Sequence, residues 1–331
     1  MNSSASSNET WWARPSFWDI YSAAGGIGVF NTVFILLTNT LLIFTITTSK
    51  KLRLRFSNQL ILSVAVCNWL YGAVWCPMKV DYIFTRQWRF GCWMHVAYQM
   101  YEEYIQIFIT TWLIIVYNTC YIVERRRIQN PVVSKNKVLA LRLGTLASPW
   151  VVAVVVILPL AMANLHPVWN QSVWTASYCA VILTRWADIL LPCLCFFIPA
   201  TVLMLQTLYV FVSLNSDSRS SVRTTPLNRA ISRRIGVCVI AASLITVLLS
   251  MGEQVCNLVK EVYNWNNKLH VITWHVTDLL ADFQKVALPL VWIFLPEIKE
   301  ELGMKIKWRV GGRYFAEDAV EVTYYRNYAH D

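Results

Sequence analysis

A few charged residues lie inside stretches of this chain that are otherwise apolar, chiefly Glu102, Glu103, Glu253, Asp282 and Lys285. An ionisable side chain within a hydrophobic span costs ~2.5–3.5 kcal/mol on insertion scales and is a functional candidate by default. Carboxylates among aromatic side chains have the chemistry to hold an organic cation, by charge pairing and by the negative face of the rings. The aromatics within reach are Tyr98, Tyr101, Trp186, Phe196 and Trp274. Glu102, Asp282, Glu253, Tyr98, Tyr101, Phe196 and Trp274 are of the residue types that such a ligand-binding site needs. A purely internal role stands beside it. Asp282 and Lys285 are three residues apart on one helical face, so they can pair with each other. Lys285 can also reach toward Asn68 and Glu253, and Glu102 can serve as an internal salt bridge or a protonated acid.

Other chemistry is thin. The sequence has no phosphate-binding glycine loop, no His-Glu-x-x-His and no Cys-x-x-Cys pair, and Cys193-Leu194-Cys195 is too close-set and apolar for zinc. His95, His166, His270 and His275 fall near one end of the expected spans without ligand spacing, and read as interfacial histidines. No cofactor, metal or enzymatic activity is expected.

Something must position the buried charges, and composition says what. Of 331 residues, 56% are hydrophobic and 15% charged, against about a quarter charged in soluble proteins. Mean hydropathy is +0.44. That leaves too little polar surface to coat a soluble globule, and collagen-like, disordered and disulfide-scaffold classes are excluded as well. The expected fold is an all-α, polytopic seven-helix membrane bundle. A span needs about 20 apolar residues, and seven stretches qualify: Ala23–Thr47, Asn58–Val80, Cys92–Val123, Ala140–Ala163, Thr184–Val212, Arg234–Val259 and His270–Leu295. The layout is a tail over 1–22, a bundle over 23–295, and an amphipathic helix with a final tail over 296–331. Met1–Asp19 lacks the apolar core of a signal peptide.

The formal charge of +10 finds its place in the loops. Lys50, Lys51, Arg53 and Arg55 follow the first span, Arg125, Arg126 and Arg127 the third, and Arg219, Arg223, Arg229, Arg233 and Arg234 lie between the fifth and sixth. Lys299, Lys305, Lys307, Arg309 and Arg313 share their side. The other side carries fewer, mixed charges, with Lys79 counted among them. Lys/Arg bias puts the basic side in the cytoplasm and the N-terminus outside. Three glycosylation sequons, at Asn2, Asn8 and Asn170, fall on the expected outer face. The basic residues thus form an inner collar facing anionic lipid, and nucleic acid is dropped as a partner.

Several short motifs resemble those of rhodopsin-like (class A) G-protein-coupled receptors. Thr38-Asn39-Thr40-Leu41-Leu42 resembles the first-helix Gly-Asn-x-Leu. Leu62-Ser63-Val64-Ala65-Val66-Cys67-Asn68, with Pro77 beyond it, resembles the second-helix signature. Trp88-Arg89-Phe90-Gly91, Trp150, the Cys179/Pro199 spacing, Leu288-Pro289-Leu290-Val291-Trp292 and an eighth helix from Leu295 extend the likeness, which is nearest the aminergic branch. The resemblance implies a Cys92–Cys179 disulfide, also favoured because these are the two cysteines expected outside. It places Glu102 at the ammonium-binding position of the third helix and Asp282 at a seventh-helix position facing it. Asn39, Asn68 and Lys285 would form an interior polar network. The departures matter equally. Thr119-Cys120-Tyr121 stands where the family has Asp-Arg-Tyr, Asn68 replaces the sodium-binding aspartate, and Thr246–Ser250 lacks the sixth-helix tryptophan and proline.

The expected function is a plasma-membrane receptor for a small extracellular, amine-like ligand, signalling to a cytoplasmic G protein or arrestin. The alternative is a receptor-shaped membrane protein without conventional coupling, acting as scaffold, decoy or trafficking partner.

Overall fold

The computed structural model describes residues 15–85, 88–127, 135–165, 183–217, 226–263 and 268–310. The long helices are α1 (Pro15–Thr48), α2 (Phe56–Thr85), α3 (Cys92–Arg125), α4 (Arg142–Ala163), α5 (Arg185–Ser216), α6 (Pro226–Tyr263) and α7 (Lys268–Ile293). α8 (Pro296–Val310) follows, and the axis turns by 81° between Ile272–Ile293 and Pro296–Met304. α1–α6 are long and apolar enough to cross a membrane; α7 carries Asp278, Asp282 and Lys285 within it, so seven is the upper count of spans. The chain is a multi-pass helical membrane protein.

Burial follows the pattern expected when lipid is the solvent. Large apolar side chains point outward, among them Phe30, Leu37, Leu205, Leu208, Leu248 and Phe294. Polar ones are buried, among them Asn39, Asn68, Gln106, Asn118, Asp278 and Asp282. In water this arrangement would be unfavourable on both counts, whereas in hydrocarbon polar groups must find partners inside the protein. α1 packs on α2 and α7, α2 on α3, α3 on α4 and α5, α5 on α6, and α6 on α7, which closes the ring. α3 is the most buried span.

Small residues set the closest approaches. A Cβ on Gly72 would lie 2.7 Å from Ile35 Cγ2, one on Gly25 2.8 Å from the Phe84 ring, and one on Gly252 2.7 Å from Thr277 Cγ2. With packing rather than water driving helix association in lipid, such positions bring backbones together.

Proline shapes the helices further. It removes an N–H and collides with the carbonyl four residues back. Wide π turns at Tyr71–Trp75, Ala153–Ile157 and Cys193–Phe197 each end two residues before a proline: Pro77, Pro159 and Pro199. The seven-residue π turn Met100–Gln106 in α3 has no proline and carries Glu102 and Glu103. α2 also runs five residues beyond the expected Val80, ending at Thr85. Lys79 thus lies more than a turn inside the end of α2.

Candidate functional site

Lys79 is the centre of the buried charge, which corrects its expected place among the outer-face charges. It is only 7% exposed. Its ammonium donates to Asp278 Oδ1 at 2.6 Å, Asp282 Oδ2 at 2.9 Å and Glu102 Oε1 at 2.9 Å. An ammonium has three N–H donors, so these carboxylates use all of them. Lys79 follows Pro77 and the π turn Tyr71–Trp75, and its stem lies within the bundle.

The acids come from two helices. Asp278 and Asp282 are four residues apart on one face of α7, and Glu102 projects from the π turn of α3. Their oxygens lie within 4.8 Å of one another. This is the spacing of a cation site, and the Lys79 ammonium supplies the cation. Asp278 was not singled out from the sequence, although its i, i+4 relation to Asp282 was a legible signal.

Tyr71 binds the acids from below. Its hydroxyl is 2.6 Å from Glu102 Oε1 and 2.7 Å from Asp282 Oδ1. A phenol carries one proton, so it donates to one of these carboxylates at a time. Lys285 Nζ donates to Asp282 Oδ1 at 3.0 Å and sits 4.1 Å from the Tyr71 ring centroid, a cation–π contact. Asp282 is therefore held by two lysines, and the internal pairing with Lys285 is present. Asn68 is not Lys285's partner: it accepts from Gln106 Nε2 at 3.2 Å. Asn39 donates to the Lys285 carbonyl at 3.0 Å, fastening α1 to α7.

The remaining expected ligand residues divide. Tyr98 packs against Trp75 and Trp88, with ring centroids 6.3 and 5.5 Å away. Tyr101 turns toward α2, donating to the Cys67 carbonyl at 3.2 Å. Trp274 Nε1 donates to Asn257 Oδ1 at 2.9 Å and so joins α7 to α6. Phe196 is fully buried and packs edge-on to Phe197. Trp186 is half exposed and leaves the interior. Glu253, on α6, is buried near Asp278, Glu102 and both lysines. His95, partly exposed, packs 4.7 Å from the buried Trp88 ring. Asn2, Asn8, Asn170 and Cys179 lie outside the described residues. No two described cysteines are bonded to each other, and the seven within the spans are free thiols.

The opposite end of the bundle holds a second set of ties. Tyr121 of α3 donates to the Ser232 carbonyl of α6 at 3.1 Å, and Arg125 to the Ser213 carbonyl of α5 at 3.0 Å. A Cβ on Gly236 would come within 2.7 Å of the Tyr121 hydroxyl. Arg55 pairs with Glu297, which docks α8 under the loop after α1.

The chain matches no family model, and a search of curated proteins found no match.

Proposed function

We propose that this chain is a plasma-membrane receptor of the rhodopsin-like G-protein-coupled class, binding a small extracellular cation of amine type and passing the change to a G protein or arrestin inside. The observation that carries the reading is the charge cluster shared by α2, α3 and α7. It is buried, costly and unnecessary for a bundle held together by packing alone. It lies in the half of the bundle where α1 and α3 begin, the half that the Lys/Arg bias assigns to the outside. A ligand that competes for any one of its carboxylates would redistribute ion pairs among three helices. Differential affinity of that kind shifts a two-state bundle.

Two further features support the class. Residues quoted for the resemblance meet one another: Trp150 Nε1 donates to Ser63 Oγ at 3.0 Å, and Asn39 reaches α7. The abrupt turn into α8 agrees with a surface-lying eighth helix. The outer disulfide Cys92–Cys179 and the glycans at Asn2, Asn8 and Asn170 belong to the same reading.

A second reading, a receptor-shaped protein without conventional coupling, is favoured by Lys79 itself. A tethered ammonium already fills the slot that an amine would seek. The test is to express the chain at the cell surface, apply a panel of amines, and record G-protein, arrestin and current responses. A response to one amine class supports the receptor. Silence of a well-expressed surface protein in every channel would move the assignment to the second reading.

A further inference from the structure

Three buried carboxylates, Asp278, Asp282 and Glu253, and the partly buried Glu102 share the site with two buried ammonium groups, Lys79 and Lys285. The acceptors are unequally used. Lys79 spends its donors on Glu102, Asp278 and Asp282, Lys285 donates to Asp282, and the Tyr71 hydroxyl serves Glu102 and Asp282. Among the described residues Glu253, 6% exposed, makes no hydrogen bond or ion pair. Unlike the unpaired Asn39 Oδ1 and Asn68 Nδ2, which are sealed from solvent, its carboxylate keeps some accessible surface.

The pairing of α6 with α7 fixes where Glu253 faces. Ser250 Oγ donates to Gln284 Oε1 at 2.8 Å, Gly252 abuts Thr277, and Asn257 accepts from Trp274 at 2.9 Å. In this antiparallel register Glu253 stands opposite Asp278. It lies one turn from both Ser250 and Asn257, on the face of α6 that meets α7. Gly252 is what lets the helices come close enough. Asp278, Glu102, Lys285 and Lys79 are its charged neighbours, and Trp274 lies one turn along α7 from Asp278.

We infer that the cationic head of a ligand is received by Glu253 of α6, rather than by Glu102 or Asp282, each of which already accepts from the Lys79 ammonium. The ligand class is a small organic amine carrying a protonated nitrogen: Glu253 offers the acceptor and Trp274 a ring face. This inference rests on the receptor reading above and reassigns the residue that meets the ligand. It also gives Lys79 a different part, as the fixed counter-ion that keeps the other three acids from competing for the amine.

The experiment uses the full chain in lipid nanodiscs, with 2-phenylethylamine as the probe and thermal stabilisation and calorimetric titration as readouts. Saturable binding to the wild type is expected. Glu253→Gln should weaken it about tenfold or more, the scale of losing one buried charge-assisted contact. Glu253→Asp should retain most of the affinity. The unliganded Glu253→Gln protein should melt no lower than wild type, because it loses no internal partner; this separates a lost contact from a lost fold. Binding that survives Glu253→Gln but is lost in Glu102→Gln overturns the inference and leaves the receptor reading standing. No saturable binding of any tested amine by the wild type overturns both. Glu253-dependent stabilisation by sodium over potassium, with no effect of the amine, would overturn it in favour of an inorganic cation.

Discussion

Lys79 Nζ of α2 lies 2.6 Å from Asp278 Oδ1 of α7, a buried ion pair joining helices 199 residues apart in the chain. Removing one partner of such a pair strands the other charge where water cannot reach it. Lys79→Met should therefore destabilise the detergent-solubilised protein by about 3–5 kcal/mol. Adding Asp278→Asn should recover about 1 kcal/mol or more of that loss, because the pair is coupled. A thermal-melting double-mutant cycle reads both terms, and simple additivity would remove the ion pair from the account.

The glycine contacts give a prediction with its own control. Gly72→Ala places a methyl 2.7 Å from Ile35 Cγ2, while at Gly26 nothing lies within 4 Å of the new carbon. Gly72→Ala should cost about 1–3 kcal/mol by overpacking. Gly26→Ala should be neutral, or stabilising by up to about 1 kcal/mol through helix propensity. Equal melting temperatures for the two variants would mean that α1 and α2 are not this close.

At the other end, Tyr121 ties α3 to α6 through the Ser232 carbonyl. Tyr121→Phe should cost about 1 kcal/mol, the net worth of one hydrogen bond, and loosen the inner end of α6. Spin-label distances between the inner ends of α3 and α6 should broaden toward longer values. A distribution identical to wild type would show that packing alone holds this end closed.

The helices were largely legible in the chain because about 20 apolar residues suffice to mark a span. The expected ends differ from those observed by a few residues, as at Val80 against Thr85. Lys79 stands next to the expected end at Val80, and so was counted with the outer-face charges. A lysine two residues after Pro77 reads as a rim residue whose stem snorkels to water, whereas in the structure that stem lies within the bundle. Asp282 and Lys285 were legible as a pair because both lie on one helix at i, i+3. Glu253 was visible as a buried charge, but its place opposite Asp278 depends on how α6 and α7 align. Three tertiary contacts fix that alignment, and no local pattern encodes it. Trp186 was misjudged for a similar reason, since a tryptophan at a helix start serves lipid and interior equally well.

The claim at the centre of this account is that Glu102, Asp278 and Asp282 form a cation slot filled by the protein's own ammonium. Its most direct test is chemical rescue of Lys79→Ala, measured as the melting temperature of the purified protein against added n-butylammonium. The truncated side chain leaves three carboxylates whose oxygens lie within 4.8 Å of one another and room for an alkylammonium of similar length. Lys79→Ala should melt well below wild type, and n-butylammonium should restore most of the difference saturably, while the bulkier tetrabutylammonium should not. A Lys79→Ala protein that melts with wild type and ignores n-butylammonium would contradict it.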